Sequence, residues 1–334
     1  MLPTEPTSAV PAASVVSGSA ERLVAQVNGI TMSYLSQGTG PLVVFMHGFP
    51  DLAISWRRQM KAVADAGYRA IAPDMRGYGG TDAPEDADSY SQFHLAGDIT
   101  GLMDHLGASS AVLVGHDMGA TLGWTIATLV PARVRGVVIA SVPHKPRGAG
   151  APVESSPQRF YQRLFQDVGI EEHDLDEKVD TFLPGIFDRL SGSSEFGAPP
   201  SLMVPEGGHF SDLFTPPSAA PEWMGAEDLG TYVNTFRRTG FRGALNWYRN
   251  IDRNWHTAAP WAPGHVSVPA SFVVGTADVT YALFHANGVI DSQRDRVPLL
   301  RESRILDGVG HWTAQESPDE VNDVILTFLA HLDS

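Results

Sequence analysis

The chain has 334 residues and no cysteine, its residues are 43% hydrophobic, and its formal net charge is −15. This size and hydrophobic content predict a folded globular protein, and the absence of cysteine excludes disulfides and thiolate metal sites. The negative charge argues against nucleic acid as a partner, because the phosphate backbone would be repelled.

The first predicted segment is a tail over residues 1–21. It is rich in Ala, Ser, Pro, Thr and Val and contains neither Lys nor Arg. A secretory signal has a basic start and a continuous apolar stretch, and a membrane-spanning helix needs about 20 apolar residues. Because the tail lacks the former and the whole chain lacks the latter, we predict a disordered tail, no membrane span and a cytoplasmic location.

Strand and helix patterns then alternate up to about residue 142. Short apolar runs predict buried strands, and the longer segments between them predict helices. This alternation is typical of a mostly parallel sheet with helices on both faces, and therefore predicts an α/β fold. The predicted strands are 31–35, 42–46, 70–72, 111–114 and 134–139, and the predicted helices are 56–66, 93–106 and 118–129.

A Pro- and Gly-rich linker interrupts the alternation at residues 143–156. Beyond it, two segments with helical patterns, 158–167 and 229–255, flank a Gly-, Pro- and Ser-rich stretch at 191–221. An irregular stretch of that length is typical of a lid or of a segment that lines a site. The alternation resumes with predicted strands at 270–274 and 304–306 and a helix at 318–332.

These patterns predict two domains after the tail. Residues 22–145 and 257–334 would form the α/β core domain, and residues 146–256 would form an inserted helical cap domain. A homodimer is the assembly that we expect.

The segment Gly115-His116-Asp117-Met118-Gly119 has the pattern of a nucleophile elbow, a sharp turn that exposes one side chain above a sheet. Here that side chain is the carboxylate of Asp117, where a serine is usual. A serine that attacked an alkyl carbon would form an ether, which water cannot open, whereas a carboxylate would form a hydrolysable ester. The sequence therefore predicts alkyl transfer to Asp117 followed by ester hydrolysis. The structural alternative is an Asp that only caps the next helix.

Two residues after later strands fit the roles that Asp117 would require. His311 follows the last predicted strand, and an imidazole titrates near neutrality, which suits a base that activates water. Asp278 follows the preceding strand and would orient His311, with Asp252 as a weaker alternative. The chain order nucleophile, acid, histidine is typical of proteins with this elbow.

The segment His47-Gly48-Phe49-Pro50 follows a predicted strand and is the candidate for the oxyanion hole. We expect the backbone N–H groups of Phe49 and Met118 to bind the oxyanion that forms when water attacks the ester. Pro50 would fix this loop, whose Phe49–Pro50 peptide can be cis. The simpler interpretation of His47 and His116 is structural. Four residues near the motifs are candidates for the substrate pocket, namely His47, Pro50, Trp56 and Trp312.

The predicted insertion supplies two tyrosines that could act as acids. Opening a three-membered cyclic ether yields an alkoxide, which is a poor leaving group without a proton donor. A tyrosine hydroxyl, with an ordinary pKa of about 10, can donate a strong hydrogen bond or the proton itself. Tyr161 and Tyr248 lie on predicted helices that could face the sheet. Either residue alone could equally be part of the core or the surface, but the pair fits an epoxide oxygen.

Over about residues 23–333, these motifs resemble those of α/β-hydrolase-fold epoxide hydrolases. The resemblance implies that Asp117 is the nucleophile, His311 the base, Asp278 the orienting acid, and Tyr161 and Tyr248 the ring-opening acids. It also implies that water hydrolyses a small apolar epoxide to a vicinal diol without a cofactor or a metal. Many members have Trp after the nucleophile, where this chain has Met. The other matching segments are His47-Gly48-Phe49-Pro50, Asp74-Met75-Arg76-Gly77-Tyr78-Gly79-Gly80-Thr81, Thr239-Gly240-Phe241-Arg242-Gly243, Asn246-Trp247-Tyr248-Arg249 and Gly310-His311-Trp312.

Other functions remain open at this point. Dehalogenases that act on haloalkanes or haloacids also use a carboxylate elbow, but they need side chains that bind the departing halide. Enzymes that resemble them use a Trp or Arg beside the nucleophile and often an Asn after a His-Gly pair. This chain has Met118 and Phe49 at the corresponding places, and dehalogenation leaves the paired tyrosines unexplained. A non-catalytic ligand-binding protein could share the fold, although the complete set of reactive residues argues against it. No serine occupies the elbow, which argues against a serine esterase.

Overall fold

The computed structural model describes residues 15–16, 20–145, 147–197, 201–262 and 264–333. Most of the predicted disordered tail lies outside these residues. Within the tail, residues 15–16 and 20–21 belong to strands, so the sheet begins earlier in the chain than the sequence predicted. None of the helices in the described ranges is both long and apolar enough to cross a membrane.

Nine strands in the described part of the chain form a single sheet. They are β1 (Val15–Val16), β2 (Ala20–Val27), β3 (Ile30–Gln37), β4 (Leu42–Met46), β5 (Arg69–Pro73), β6 (Ala111–His116), β7 (Val134–Ala140), β8 (Ala270–Gly275) and β9 (Leu300–Leu306). Their spatial order is β1-β2-β3-β5-β4-β6-β7-β8-β9. The strands from β5 to β9 in that order pair in parallel, and β1, β2 and β3 form an antiparallel edge.

The centre of the sheet brings two of the predicted motifs together. Strands β4 and β6 consist largely of apolar residues, every residue of both is buried, and they pair in parallel with Phe45 opposite Val114. The loops that follow parallel strands lie at the same edge of a sheet. The segment after β4, which contains Phe49, therefore lies beside Asp117, which follows β6.

Helices cover both faces of the sheet. The α-helices outside the insertion are, in the described residues, α1 (Arg57–Asp65), α2 (Gln92–His105), α3 (Met118–Leu129), α10 (Val279–Ala286), α11 (Thr313–Glu316) and α12 (Pro318–Leu332). Helices α2 and α3 pack on one face, and α1 and α12 pack on the other, so the core is divided into two layers. This arrangement confirms the predicted α/β architecture.

The described residues between β7 and β8 form six α-helices, and we call them the inserted helices. They are α4 (Tyr161–Leu164), α5 (Glu171–Glu177), α6 (Val179–Arg189), α7 (Ala226–Thr239), α8 (Arg242–Arg249) and α9 (Ile251–Thr257). Buried hydrogen bonds join them to the core: Trp247 Nε1 donates to the carbonyl of Arg76 at 2.9 Å, and the Tyr232 hydroxyl donates to Asp51 at 2.5 Å. The inserted helices therefore pack firmly over the edge of the sheet that carries the loops.

The insertion differs in detail from the sequence prediction. The helix predicted at 158–167 is only one turn long, and the helix predicted at 229–255 is three helices. Gly240, with φ of +66°, ends the first of the three. Helices α5, α6, α10 and α11 were not predicted. Within the described part of 191–221 there is a single 3₁₀ turn, Phe210–Leu213, which agrees with the prediction of an irregular segment.

Two helical glycines allow the packing of the elbow to be tested. A Cβ on Gly119 would lie 2.2 Å from the Met46 carbonyl oxygen, whereas a Cβ on Gly230 in α7 would meet no atom within 4 Å. We expect Gly119→Ala to lower the free energy of unfolding by about 2–5 kcal/mol. Gly230→Ala should raise it by about 0.5–1 kcal/mol, because alanine favours the helix. Urea unfolding of both variants checks this, and equal stabilities would contradict the close approach.

Candidate active site

Asp117 lies in a strained turn between β6 and α3. Its backbone φ of +52° and ψ of −117° are unusual for a residue with a side chain. The turn is tight because Gly119 packs against the carbonyl of Met46 without room for a Cβ. Gly48 lies equally close to the Asp117 side chain, since a Cβ on Gly48 would lie 2.3 Å from Asp117 Oδ2. The sequence therefore builds a turn that presents one carboxylate, as the elbow pattern predicted.

The loop after β4 donates a hydrogen bond to that carboxylate. The backbone N–H of Phe49 donates to Asp117 Oδ2 at 2.9 Å. The Phe49–Pro50 peptide is cis, which is one of the two geometries that the sequence left open, and Pro50 is buried. Met118, the other predicted donor, is the first residue of α3. If Asp117 formed an ester through Oδ1, Oδ2 would become the ester carbonyl oxygen and would already have a donor beside it.

His311 and Asp278 form a buried pair at the ends of β9 and β8. The distance from His311 Nδ1 to Asp278 Oδ1 is 3.0 Å, and Ser141 Oγ lies 3.3 Å from the same nitrogen. Because Nδ1 donates to a carboxylate, the lone pair of the neutral ring is on Nε2. Asp252, the rival acid, has other hydrogen-bond partners. Its carboxylate accepts hydrogen bonds from the backbone N–H groups of Val153 and Glu154 at 2.7 and 2.9 Å, which corrects that alternative.

The charges of this pair shift both pKa values. Burial opposes protonation of His311, but the charge and hydrogen bond of Asp278, followed by the charge of Asp117, outweigh it and raise the pKa of His311 to about 9. Burial alone would raise the pKa of Asp278, but His311 outweighs it and lowers that pKa to about 2. The free site therefore favours a charged imidazolium–carboxylate pair.

His116 has a structural role beside this pair. Burial and the charge of His311 lower the pKa of His116 to about 4, so its ring is neutral at pH 7. Its Nε2 lies 2.7 Å from the His311 carbonyl oxygen and donates to it. The backbone N–H of His311 donates to the carbonyl of Leu190 in the insertion at 2.8 Å. The loop that carries His311, which we call the histidine loop, is thus held by hydrogen bonds from His116 in the core and to Leu190 in the insertion.

Tyr161 and Tyr248 lie close together in the insertion. Their ring centroids are 5.8 Å apart, and the Phe49 ring meets the Tyr248 ring edge to face at 5.7 Å. Gln162 Nε2 donates to the Tyr161 hydroxyl at 3.0 Å. Burial, followed by the charge of Asp117, raises the pKa of both tyrosines well above the ordinary value. Both phenols therefore remain protonated at pH 7, and the charge of Asp117 contributes to the raised pKa of each.

The four pocket candidates have different positions, and Pro50 is the buried residue of the cis peptide after Phe49. His47 accepts a hydrogen bond from the Met75 N–H at 3.0 Å and donates to the Gly48 carbonyl at 2.9 Å, so it is structural. Trp312 packs on the His311 ring with centroids 5.0 Å apart. Trp56 instead packs on Phe45 in the core layer under α1 and α12. The structure does not bring Trp56 to Asp117, which corrects that prediction.

Comparison with known proteins assigns the family. Residues 41–171 match the model of the alpha/beta hydrolase fold. Epoxide hydrolase A of Mycobacterium tuberculosis is 38% identical, and the alignment covers 94% of this chain and 98% of that protein. The chain belongs to the epoxide hydrolases. Epoxide hydrolase 3 of Siraitia grosvenorii is 39% identical over 92% of this enzyme and 98% of that protein.

Solved structures agree with this assignment. An epoxide hydrolase from an endophytic Streptomyces has a TM-score of 0.88 and 35% identity, covering 94% of this chain and 96% of that one. Epoxide hydrolase A from Mycobacterium thermoresistibile has a TM-score of 0.86 and 37% identity, covering 93% and 98%. The predicted fold class is therefore confirmed, and so is the predicted family.

Three residues near the site were missed by sequence reasoning. Ser141 contacts His311, and the charge of Lys145 interacts with that of Asp117. Glu316 accepts hydrogen bonds from the backbone N–H groups of Gly310 and Trp312 at 3.0 and 3.1 Å and so holds the histidine loop. Ser141 and Lys145 lie at and beyond the end of β7, where only the general rule that sites collect at strand ends could have indicated them.

One group in the insertion has the composition of a metal site. Ligand atoms of Glu171, Asp174 and His209 lie within 4.8 Å of one another. However, the ammonium of Lys178 lies 2.6 Å from Asp174 Oδ1, and Glu171 accepts a hydrogen bond from the Phe210 N–H at 2.9 Å. The ion pair and hydrogen bonds already satisfy these oxygens, so we assign no metal to this group.

Proposed function

We propose that this enzyme hydrolyses an epoxide to a vicinal diol through a covalent ester on Asp117. The strongest support comes from the groups that surround the carboxylate of Asp117. Its Oδ2 accepts the Phe49 N–H, and its charge acts on the buried imidazole of His311 and on the phenols of Tyr161 and Tyr248. A nucleophile, a base and two proton donors around one point are what the reaction requires.

In the first step, Asp117 Oδ1 attacks a ring carbon and the carbon–oxygen bond of the ring breaks. Tyr161 and Tyr248 donate hydrogen bonds to the epoxide oxygen, and one of them transfers its proton as the alkoxide forms. Burial and, after it, the negative charge of Asp117 raise the pKa of both phenols. Ester formation removes that charge, so proton transfer becomes more favourable as the reaction proceeds.

In the second step, His311 Nε2 accepts a proton from water, and the resulting hydroxide attacks the ester carbon. The charge that develops on Oδ2 is stabilised by the Phe49 N–H, and Asp278 stabilises the imidazolium. Ester formation also matters here, because the charge of Asp117 contributes to the raised pKa of His311. Its loss lowers that pKa and favours the neutral base when the base is needed. Collapse of the intermediate breaks the ester bond, and the expelled alkoxide takes the proton of the newly formed carboxyl group, which releases the diol and restores the carboxylate. The imidazolium of His311 then returns its proton to the tyrosinate left by the first step, so that all groups regain their starting state.

The alternative function, dehalogenation, uses the same nucleophile and base but no tyrosine acid. Tyr161 and Tyr248 therefore distinguish the two functions, and the test compares the epoxide and halide leaving groups directly.

A cytoplasmic location and a homodimer stay predictions from the sequence.

The Tyr161→Phe/Tyr248→Phe double variant should lose about 10²–10⁴-fold in kcat/KM for epoxides, because the alkoxide would leave without an acid. Each single variant should retain part of the activity, since the other hydroxyl remains. The measurement is diol release from aryl, aliphatic and terpenoid epoxides, alongside halide release from bromoalkanes. Tyr68→Phe is the control, because Tyr68 belongs to the core layer under α1 and α12 and its hydroxyl pairs with Asp333.

Halide release from bromoalkanes without diol formation would establish the dehalogenase instead. Full epoxide turnover by the double variant would remove the tyrosines from the mechanism. Binding of epoxides with no turnover at all would favour a ligand-binding protein.

A further inference from the structure

Ser141 lies directly after β7, beside the His311–Asp278 pair, and no step of the proposed reaction uses it. Strands β7 and β8 pair in parallel with Ala140 opposite Val273, so the residue after β7 lies at the edge of the sheet that carries Asp278. Ser141 is 0% exposed, and its backbone N–H donates to the Val273 carbonyl at 2.9 Å. The sheet therefore fixes the position of this residue.

The backbone of Ser141 has an unfavourable conformation. Its φ is +74°, in the left-handed region that glycine and asparagine occupy more readily than serine. Strain of this kind persists only where the surrounding structure imposes it, and it is concentrated at functional sites. Glycine would remove the strain, and what serine offers in its place is a buried hydroxyl group.

The hydrogen bonds around Ser141 orient that hydroxyl. In the first turn of α10, Thr280 Oγ1 lies 3.0 Å from the Ser141 carbonyl oxygen and 3.0 Å from Ser141 Oγ. A hydroxyl has one proton, so a Thr280 hydroxyl that donates to the carbonyl has to accept from the Ser141 hydroxyl. The lone pairs of Ser141 Oγ are then available to His311 Nδ1, which lies 3.3 Å away.

This orientation gives the Nδ1–H of His311 a second acceptor. The first is Asp278 Oδ1, which lies 3.0 Å from the same nitrogen and also accepts the Thr280 N–H at 2.9 Å. Two acceptors at Nδ1 keep the proton there and leave the lone pair of Nε2 for water. They also stabilise the imidazolium that forms when His311 takes a proton from water.

We propose that Ser141 is a positioning residue for the second step of the reaction. Its hydroxyl, oriented by Thr280, holds His311 in the tautomer and orientation that activate water against the ester. The proposal rests on the proposed function, because it concerns the base that hydrolyses the ester on Asp117. The first step needs no base, so Ser141 acts on ester hydrolysis and not on ester formation.

Ser141→Ala and Ser141→Gly remove the hydroxyl, and both should lower kcat by about tenfold or more, because a hydrogen bond to a charged group is lost. KM should decrease in parallel as the ester accumulates, so kcat/KM for an epoxide should change by less than about twofold. Rapid-quench mass spectrometry should find a larger fraction of the enzyme esterified on Asp117 in the steady state. Ser141→Gly is the decisive variant, because it also relieves the backbone strain and should unfold near the urea midpoint of the parent enzyme.

Thr280→Val tests the same hydrogen bonds from another element. It removes the group that orients the Ser141 hydroxyl, so it should lower kcat and KM together by a smaller factor, and Thr280→Ser should restore both. Ser271→Ala is the matched control, because Ser271 is 2% exposed near the start of β8, away from the edge that carries the loops. Its kcat and KM should equal those of the parent enzyme. Circular dichroism should show that every variant is folded.

The pH dependence of kcat tests the direction of the hydrogen bond. As an acceptor, Ser141 stabilises the imidazolium, so Ser141→Ala should move the acid limb of the kcat profile to lower pH. Burial raises the pKa of Asp278, and among the groups that outweigh it and lower this pKa to about 2 are His311 and, with a smaller effect, the Ser141 hydroxyl. A hydroxyl that only donated to Asp278 would weaken it as a partner for the imidazolium. Its loss would then move the limb to higher pH, which would overturn the role of acceptor. The charged and titratable groups around His311 are the same in all of these variants, namely Asp278, Asp117, Glu316 and His116.

The two proposals fail separately in these experiments. A kcat and an ester fraction equal to those of the parent enzyme in both Ser141 variants would overturn the positioning role and leave the proposed nucleophile and base intact. A decrease in kcat/KM together with the urea midpoint would indicate a purely structural role and would overturn it as well. If no variant, His311→Gln included, carried an ester on Asp117, the proposed function itself would be wrong.

Discussion

Asp117→Ala should reduce diol formation by at least about 10⁴-fold, because the variant has no atom that can form the ester. The other groups of the site would remain. Phe49 would still offer its N–H, and the His311–Asp278 pair does not depend on the missing carboxylate for its geometry. The measurement is kcat/KM for an epoxide that the parent enzyme turns over, with circular dichroism to show that the variant is folded.

Asp65→Ala is the control for this variant, because Asp65 is exposed on α1 and pairs with Lys61. Its turnover should equal that of the parent enzyme. A single turnover of the parent enzyme in heavy-oxygen water adds a direct test. The label should appear in the peptide that contains Asp117, because water attacks the ester carbon. Label found only in the diol would contradict the covalent route.

His311→Gln should carry out the first step and then stop. Glutamine cannot accept a proton from water at neutral pH, so the ester on Asp117 should accumulate to one equivalent while steady-state turnover decreases by about 10⁴-fold or more. Intact-protein mass spectrometry after incubation with substrate should show a gain equal to the mass of the epoxide. Peptide mapping should assign the added mass to Asp117.

The matched control is His173→Gln, because His173 is 73% exposed and pairs with Glu177 on the surface of the insertion. It should show neither an adduct nor a loss of turnover. Normal turnover by His311→Gln without an adduct would exclude His311 as the base. The same analysis of Asp117→Ala should show no adduct under any condition.

The parallel core could be predicted closely from the sequence because its signals are local. Strand β4, helix α3 and helix α12 have the predicted bounds, since each is a continuous pattern that ends at a clear break. The insertion could not be predicted as closely. Helix α6 contains Pro184, and α5 is rich in acidic residues, so neither has a simple helical pattern. Their stability depends on packing against the rest of the insertion.

The residues of the candidate site also differ in whether the sequence could predict them. Asp117 and His311 are adjacent to glycine-rich motifs after strands, where sequence alone indicates reactive residues. Lys145 and Glu316 carry no such local signal, because their roles depend on how separate loops meet in three dimensions. Trp56 shows the opposite error, since an aromatic residue near a motif was taken for a pocket residue and belongs to the core.

Phe49 performs two tasks with two different parts of one residue. Its main chain donates to the carboxylate of Asp117, and its ring packs edge to face on Tyr248. This position therefore has two separate requirements. A substitution that kept the amide in place but removed the flat ring would remove the contact with Tyr248, so fewer side chains are compatible with the site than the role of the backbone N–H alone would allow.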